Sequence, residues 1–490
     1  MNVSLLIIIP LLTAIGILFC NGLRQVRNIA LSGAIVQLGL SLYLLYQYSQ
    51  HPIGSPVIMF QYNASWFKPL HINYHVGVDG ISIAMILLTA CVVLAGILIS
   101  WTTEKLSKEY FFLLMLLSVG AYGFFISLDL FTLFFFLEIA VIPKFLLIGI
   151  WGSGRKEYSA MKLALMLMGG SALVFVGLAG IYVNTHTFDI LEIARISIPI
   201  NIQKTFFPFA FVGFGVFTAL FPFYTWVPDG HSSAPTAASM FLAGISMKLG
   251  GYGCLRVATY LMPGAAQAYA GIIILLATIA IIYGAFATMM QTDLKYINAY
   301  SSVSHCGFVL LGIGMLTKTS ITGAVMQMVS HGLMTALFFA AIGMIYSRTH
   351  TRLVAQLGGL LKVTPFISTV FVIAGLCSLG LPGLSGFAAE MTVFMGSWQN
   401  PDKWYRLATI LACASIVVTA VYILSATGKT IMGPMNKAYA TLPDAKWNEQ
   451  LAAGILITGI VIIGVAPFLI NQLLSDGTDV IMNKVLGVVK

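Results

Sequence analysis

Apolar stretches of about 20 residues, separated by short polar connections, recur along almost the whole chain. A bilayer hydrocarbon core about 30 Å thick takes about 20 apolar residues per helix, so the pattern predicts membrane helices from end to end. Apolar windows place fourteen spans, near 3–21, 27–48, 78–101, 109–128, 130–150, 158–183, 206–228, 234–258, 269–291, 299–317, 321–346, 366–397, 406–428 and 451–473. Span 7 holds Pro208 and Pro222, with Pro228 at its end. Span 12 is too long for one straight crossing and contains Gly380-Leu381-Pro382-Gly383. Both read as broken helices, which a membrane tolerates only where the open backbone is buried in protein or lines a cavity.

Two interrupted spans five apart predict two inverted repeats of five helices, the arrangement that places a transport path at the midplane. The fold expected is an all-α polytopic membrane protein in four parts. Residues 1–108 hold spans 1–3, 109–258 the first repeat (spans 4–8), 269–428 the second repeat (spans 9–13), and 429–490 a C-terminal connection with span 14.

Composition agrees and excludes a soluble domain: 59% of the 490 residues are hydrophobic, only 8% are charged, and mean hydropathy is +0.94. Val3 to Cys20 reads as a first span rather than a cleavable signal. The net charge of +9 does not point to nucleic acid, because the basic residues sit in the connections. Counted there, fourteen Lys and Arg follow odd-numbered spans (among them Arg155, Lys295, Arg352 and Lys429) and seven follow even-numbered ones (among them Arg195 and Arg256). The positive-inside rule then puts the odd connections in the cytoplasm and both termini outside, as in a bacterial plasma membrane. Six cysteines are scattered singly, without CxxC spacing, and suggest neither a disulfide framework nor a metal site.

With so little charge, ionisable residues inside apolar spans are informative, since Lys or Asp at mid-membrane costs about 2.5–3.5 kcal/mol. Glu138 follows Phe134-Phe135-Phe136-Leu137 in span 5. Six residues on, after Pro143, comes Lys144, too far round an ideal helix to be an i,i+4 partner unless the proline bends it. Two readings stay open for Lys144: it faces the interior, or it snorkels to the nearby cytoplasmic end. Lys248 lies more than a turn from either end of span 8, and Glu390 follows the break in span 12. His305 and His331, in spans 10 and 11, read as proton shuttles or as satisfied structural groups; nothing else supports haem ligation. Asp79 reads as the N-cap of span 3. Asp293 and Lys295 read as charges closing span 9, with Lys295 a possible point of proton access.

These residues resemble the antiporter-like subunits of respiratory complex I and of multisubunit cation/proton antiporters, over about residues 70–400. The most specific match is Trp226-Val227-Pro228-Asp229-Gly230-His231-Ser232-Ser233-Ala234-Pro235-Thr236. Met247-Lys248-Leu249-Gly250-Gly251, Gln291-Thr292-Asp293-Leu294-Lys295, Ser302-Val303-Ser304-His305 and Gln327-Met328-Val329-Ser330-His331-Gly332 complete it. Glu390, where other branches carry lysine, and the lack of a long lateral C-terminal helix select the M-type (chain 4) branch. The resemblance implies a proton-translocating subunit of an NADH:quinone oxidoreductase with Glu138, Lys248, His305, His331 and Glu390 on its path; Lys144 joins these candidates from its own position in span 5. It also implies no cofactor in this chain. NADH, flavin, iron–sulfur clusters and quinone would belong to partner subunits, and the partners would be other membrane-arm subunits, a lateral helix of subunit L, lipids and protons.

One position departs from the family. A lysine is usual at the break of span 7, paired with the span-5 glutamate. Counting back from Trp226, that position is Phe217. Lys144 is therefore read as a cation moved from span 7 to span 5. The alternative functions are an Mrp-type Na⁺/H⁺ antiporter subunit and a non-pumping scaffold of the membrane arm.

Overall fold

The computed structural model describes residues 2–50 and 57–487. Each of the fourteen spans is helical. Among the described residues, ten helices are long and apolar enough to cross a membrane unaided. The four spans that fall short are 1, 8, 10 and 12. Span 1 is short, spans 8 and 12 are interrupted, and span 10 (Leu294–Gly314) is diluted by serine, asparagine, lysine and histidine. Burial, rather than apolarity, keeps span 10 in the membrane: 19 of its residues lie inside the protein.

Span 11 (Lys318–Thr349) is the axis of the molecule. Its most apolar stretch is completely buried among spans 3, 8, 10, 12 and 14. At 32 residues and about 1.5 Å per residue it is about 48 Å long, more than a bilayer core, so it carries polar residues at several depths.

The breaks have local causes. Span 7 runs intact through Pro208 from Ile200 to Phe217, and opens only between Phe217 and Trp226. There Ala219 has φ +65 and the Phe221–Pro222 bond is cis. The expectation that Pro208 contributes to the break is thus corrected. Its ring stays within the helix, and the left-handed turn at Ala219 opens the backbone. Span 12 divides into Pro365–Ser378 and Ser385–Trp398, with Gly380 at φ +74 and Gly383 at φ +93. Span 5 also divides, into Leu130–Ile139 and Val141–Trp151. Pro143 has no N–H for the Ile139 carbonyl, so the helical ladder is interrupted at this junction. Span 8 has π-helical turns at Leu242–Ser246 and Cys254–Thr259, one on each side of Met247–Gly253; such turns concentrate at functional sites.

Two elements are additions to the predicted architecture. A hairpin of β1 (Met59–Phe67) and β2 (Ile72–Val78), with Asn63 opposite His75, joins spans 2 and 3. A further helix, Pro467–Val485, follows span 14 and packs on spans 3 and 11. It buries Ile470, Leu474, Gly477, Thr478, Ile481, Met482 and Val485, one stripe at helical spacing. Both lie on the side of the even-numbered connections.

Candidate functional site

Lys248 stands between the two π-helical turns of span 8 and is 1% exposed. Its Nζ donates to the Ala243 carbonyl and lies 2.8 Å from His331 Nδ1. An ammonium has only donors, so a charged Lys248 requires His331 to present Nδ1 as an acceptor and carry its proton on Nε2. The His331 ring lies 5.3 Å from that of His305. His305 Nδ1 is 3.3 Å from Glu390 Oε1 and 3.2 Å from Gln327 Nε2, while its Nε2 is 3.0 Å from Ser378 Oγ. The two neighbours of His305 Nδ1 ask for opposite states. The carboxylate favours a proton there, and the Gln327 amide donates to a bare nitrogen.

Glu390 lies in the second turn of the helix beyond the break in span 12, and its Oε2 lies 2.7 Å from where a Cβ on Gly380 would be. Four of the six residues singled out from sequence therefore form one line across spans 8, 11, 10 and 12: Lys248, His331, His305, Glu390.

Glu138 and Lys144 form a separate group. Lys144 does not snorkel: it is 1% exposed, and its Nζ lies 5.9 Å from the centre of the Phe217 ring. Within electrostatic range of Nζ is Glu138. Among the described residues, neither Lys144 Nζ nor Glu138 Oε1 has a hydrogen-bond partner. Cation–π attraction supplies about 2 kcal/mol at most, against several kcal/mol to bury a charge. The ring alone does not settle this ammonium; it needs Glu138 or water.

Two charged residues are placed otherwise than expected. Lys295 is not a solvated charge at the end of span 9. It sits in the first turn of span 10, buried, and donates to the Ala234 carbonyl at 2.6 Å, while Asp293 caps that helix. Arg256 is not in a connection; it lies in the second π-helical turn of span 8 and pairs with Asp79. Asp79 also caps span 3, accepting from the Ser82 amide as expected. Removing Arg256 and Lys295 from the charge tally leaves thirteen against six, so its direction stands.

His231 is a group the sequence reading passed over. It is buried between Phe339 and Trp226, with both ring nitrogens unpartnered among the described residues. It lies within electrostatic range of Lys248 and Lys295. Its place in the Asp229–Thr236 motif was the available signal.

Discontinuous helices around a buried line of ionisable side chains define an antiporter-like membrane protein. Residues 127–419 match the family profile described as NADH:quinone oxidoreductase/Mrp antiporter, TM, and the chain belongs to this family. It is 34% identical over 476 residues to NADH-quinone oxidoreductase subunit M of Rickettsia bellii, covering 95% of each chain. It is 34% identical over 498 residues to NAD(P)H-quinone oxidoreductase chain 4-2 of a Synechocystis strain, covering 94% of this chain and 88% of the relative. The fold superposes on a chain of respiratory complex I from Thermus thermophilus with a TM-score of 0.90 at 23% identity, covering 99% of each. It superposes on a chain of the Mrp complex from a Dietzia strain with a TM-score of 0.84 at 18% identity, covering 99% of this chain and 97% of that one.

Proposed function

We propose that this chain is a proton-translocating membrane-arm subunit of an NADH:quinone oxidoreductase. In this reading protons move along Lys248, His331, His305 and Glu390, with Lys144 modulating Glu138 or the next protonation site. NADH, flavin, iron–sulfur clusters and quinone belong to partner subunits, and redox chemistry there drives the line. The neighbours are further antiporter-like subunits and a lateral helix from subunit L. The two five-helix repeats, 109–258 and 269–428, supply the opened spans 7 and 12 respectively. The charge bias supports an orientation with the odd connections inside, and the location in this reading is a bacterial plasma membrane.

The observation that carries the reading is the contact line from Lys248 to Glu390, built from residues whose insertion cost a mere scaffold has no need to bear. The test is the assembled complex in sealed membrane vesicles, with a pH-sensitive dye reporting NADH-driven acidification. Lys248→Met and Glu390→Gln are each expected to reduce proton pumping at least tenfold with assembly intact. Pumping at the parent rate in both would overturn the reading. A sodium gradient in place of the proton gradient would favour the Mrp-type alternative.

A further inference from the structure

Between span 9 (Pro263–Met289) and span 13 (Lys403–Thr427), where the start of span 10 meets them, lies a cleft of about 200 Å³. That is room for several waters, at about 30 Å³ of liquid volume each. Gln291, Thr292 and Lys429 form its mouth; all three follow odd-numbered spans. Ser425 and Tyr422 line it one and two turns further along span 13, Tyr422 about 10 Å from the level of Lys429 at about 1.5 Å per residue. Tyr422 is 4% exposed, and its hydroxyl has no hydrogen-bond partner among the described residues. That hydroxyl lies beside the Thr419 and Ser378 hydroxyls, neither in hydrogen-bonding geometry, and within electrostatic range of Glu390. Ser378 in turn holds His305 Nε2.

We propose that this cleft is a water-filled proton route from the odd-connection face to the Glu390–His305 end of the line, with Tyr422 as its inner gate. A buried phenol without a partner asks for one, and water standing in the cleft provides it. From that water the hydroxyl passes a proton toward Ser378 and Glu390 by donating its own and accepting the next, so nothing is consumed. Glu390 then communicates with the face on which the basic residues concentrate, rather than solely with its opposite.

This inference rests on the relay reading above, and the experiment separates the two. In the assembled complex, with the exposed Cys413 replaced by alanine, Ser425→Cys is treated with a charged methanethiosulfonate in vesicles of each orientation. Labelling from the odd-connection face only, with pumping reduced at least threefold after modification, is the expected result. No labelling above the Cys413→Ala parent means a dry or lipid-filled cleft and overturns the proposal. Tyr422→Phe and Tyr422→Leu are then compared. If the hydroxyl carries protons, both reduce pumping at least fivefold; if Phe restores the parent rate, the ring only packs and the route is refuted. Glu390→Gln without pumping beside a normal Tyr422→Phe sinks the route alone, whereas a normal Glu390→Gln sinks the relay itself.

Discussion

Lys144 shows how one side chain can take over a position left by another element. Phe217 stands where the resemblance leads one to expect lysine, and Lys144 from span 5 reaches over its ring with Glu138 in electrostatic range. The ammonium is thus delivered to the neighbourhood of the span-7 break from a different helix. Lys144→Met keeps the length and the packing against Phe217 but removes the charge. It is expected to lower NADH-driven acidification at least tenfold while the complex still assembles on native gels; acidification at the parent rate would remove Lys144 from the path. Gly380 makes a steric argument of the same kind. Its φ of +74 disfavours any L side chain by roughly 1–2 kcal/mol, and a Cβ there would sit 2.7 Å from Glu390 Oε2. Gly380→Ala should therefore displace the Glu390 carboxyl and reduce pumping severalfold, with Gly380→Ser no better.

Two pairs tie elements together. Asp79 at the start of span 3 and Arg256 in span 8 are both within 5% of full burial and face each other. Removing one partner of a buried pair costs about 3–5 kcal/mol, because the other is left as an uncompensated charge. Asp79→Asn should thus destabilise the subunit by several kcal/mol, read as loss of detergent-resistant assembly. Asp79→Asn combined with Arg256→Gln should be closer to the parent than Asp79→Asn alone. On the even-connection face, His75 of β2 lies 2.5 Å from Asp189 between spans 6 and 7, pinning the hairpin. Burial pushes the Asp189 carboxyl up, but the His75 hydrogen bond and charge, with the Glu192 and Leu191 amides, outweigh it and hold it below the usual carboxylate range. A depressed carboxyl contributes stability that is present above its unfolded pKa, about 3.9, and is lost as pH falls through its folded value. Hydrogen exchange over 59–78 should therefore stay slow down to about pH 4 and rise only below it, while Asp189→Asn should exchange faster already at pH 7.

What was legible at the element scale follows from cost. Spans appear in sequence because twenty apolar residues are needed to cross, and Lys248 and Glu390 appear because their charge interrupts such runs. Span 12 announced its break with two glycines around Pro382. Span 7 misled at Pro208, since a proline even in the middle of a helix, here Ile200–Phe217, can be absorbed when neighbours pack around it. The hairpin escaped because strand pairs are set by long-range register, not by apolar windows. The Pro467–Val485 helix escaped because a narrow buried stripe dilutes its hydropathy. Arg256 and Lys295 looked like ordinary flanking charges, and only tertiary packing drew them inside.

At the scale of the whole molecule, the proposed relay from Lys248 to Glu390 would have to do work against a membrane potential. Moving one elementary charge through 100 mV takes about 2.3 kcal/mol. Two unit charges 4 Å apart at an effective dielectric near 20 interact by about 4 kcal/mol, so making or breaking one buried pair suffices for a pumping step. The His305 Nδ1 site, shared by Glu390 and Gln327, supplies such a pair, and span 11 connects it to Lys248 through His331. Groups that act as one unit lose function together, so their losses do not add. Lys248→Met with Glu390→Gln should therefore pump no worse than the poorer single variant, with assembly equal in all three. Losses that multiply instead would mean two independent steps and a line that is not continuous. Gln327→Leu should give a smaller loss, twofold to fivefold, because it removes the amide that favours the unprotonated His305 Nδ1 but leaves the carboxylate contact in place.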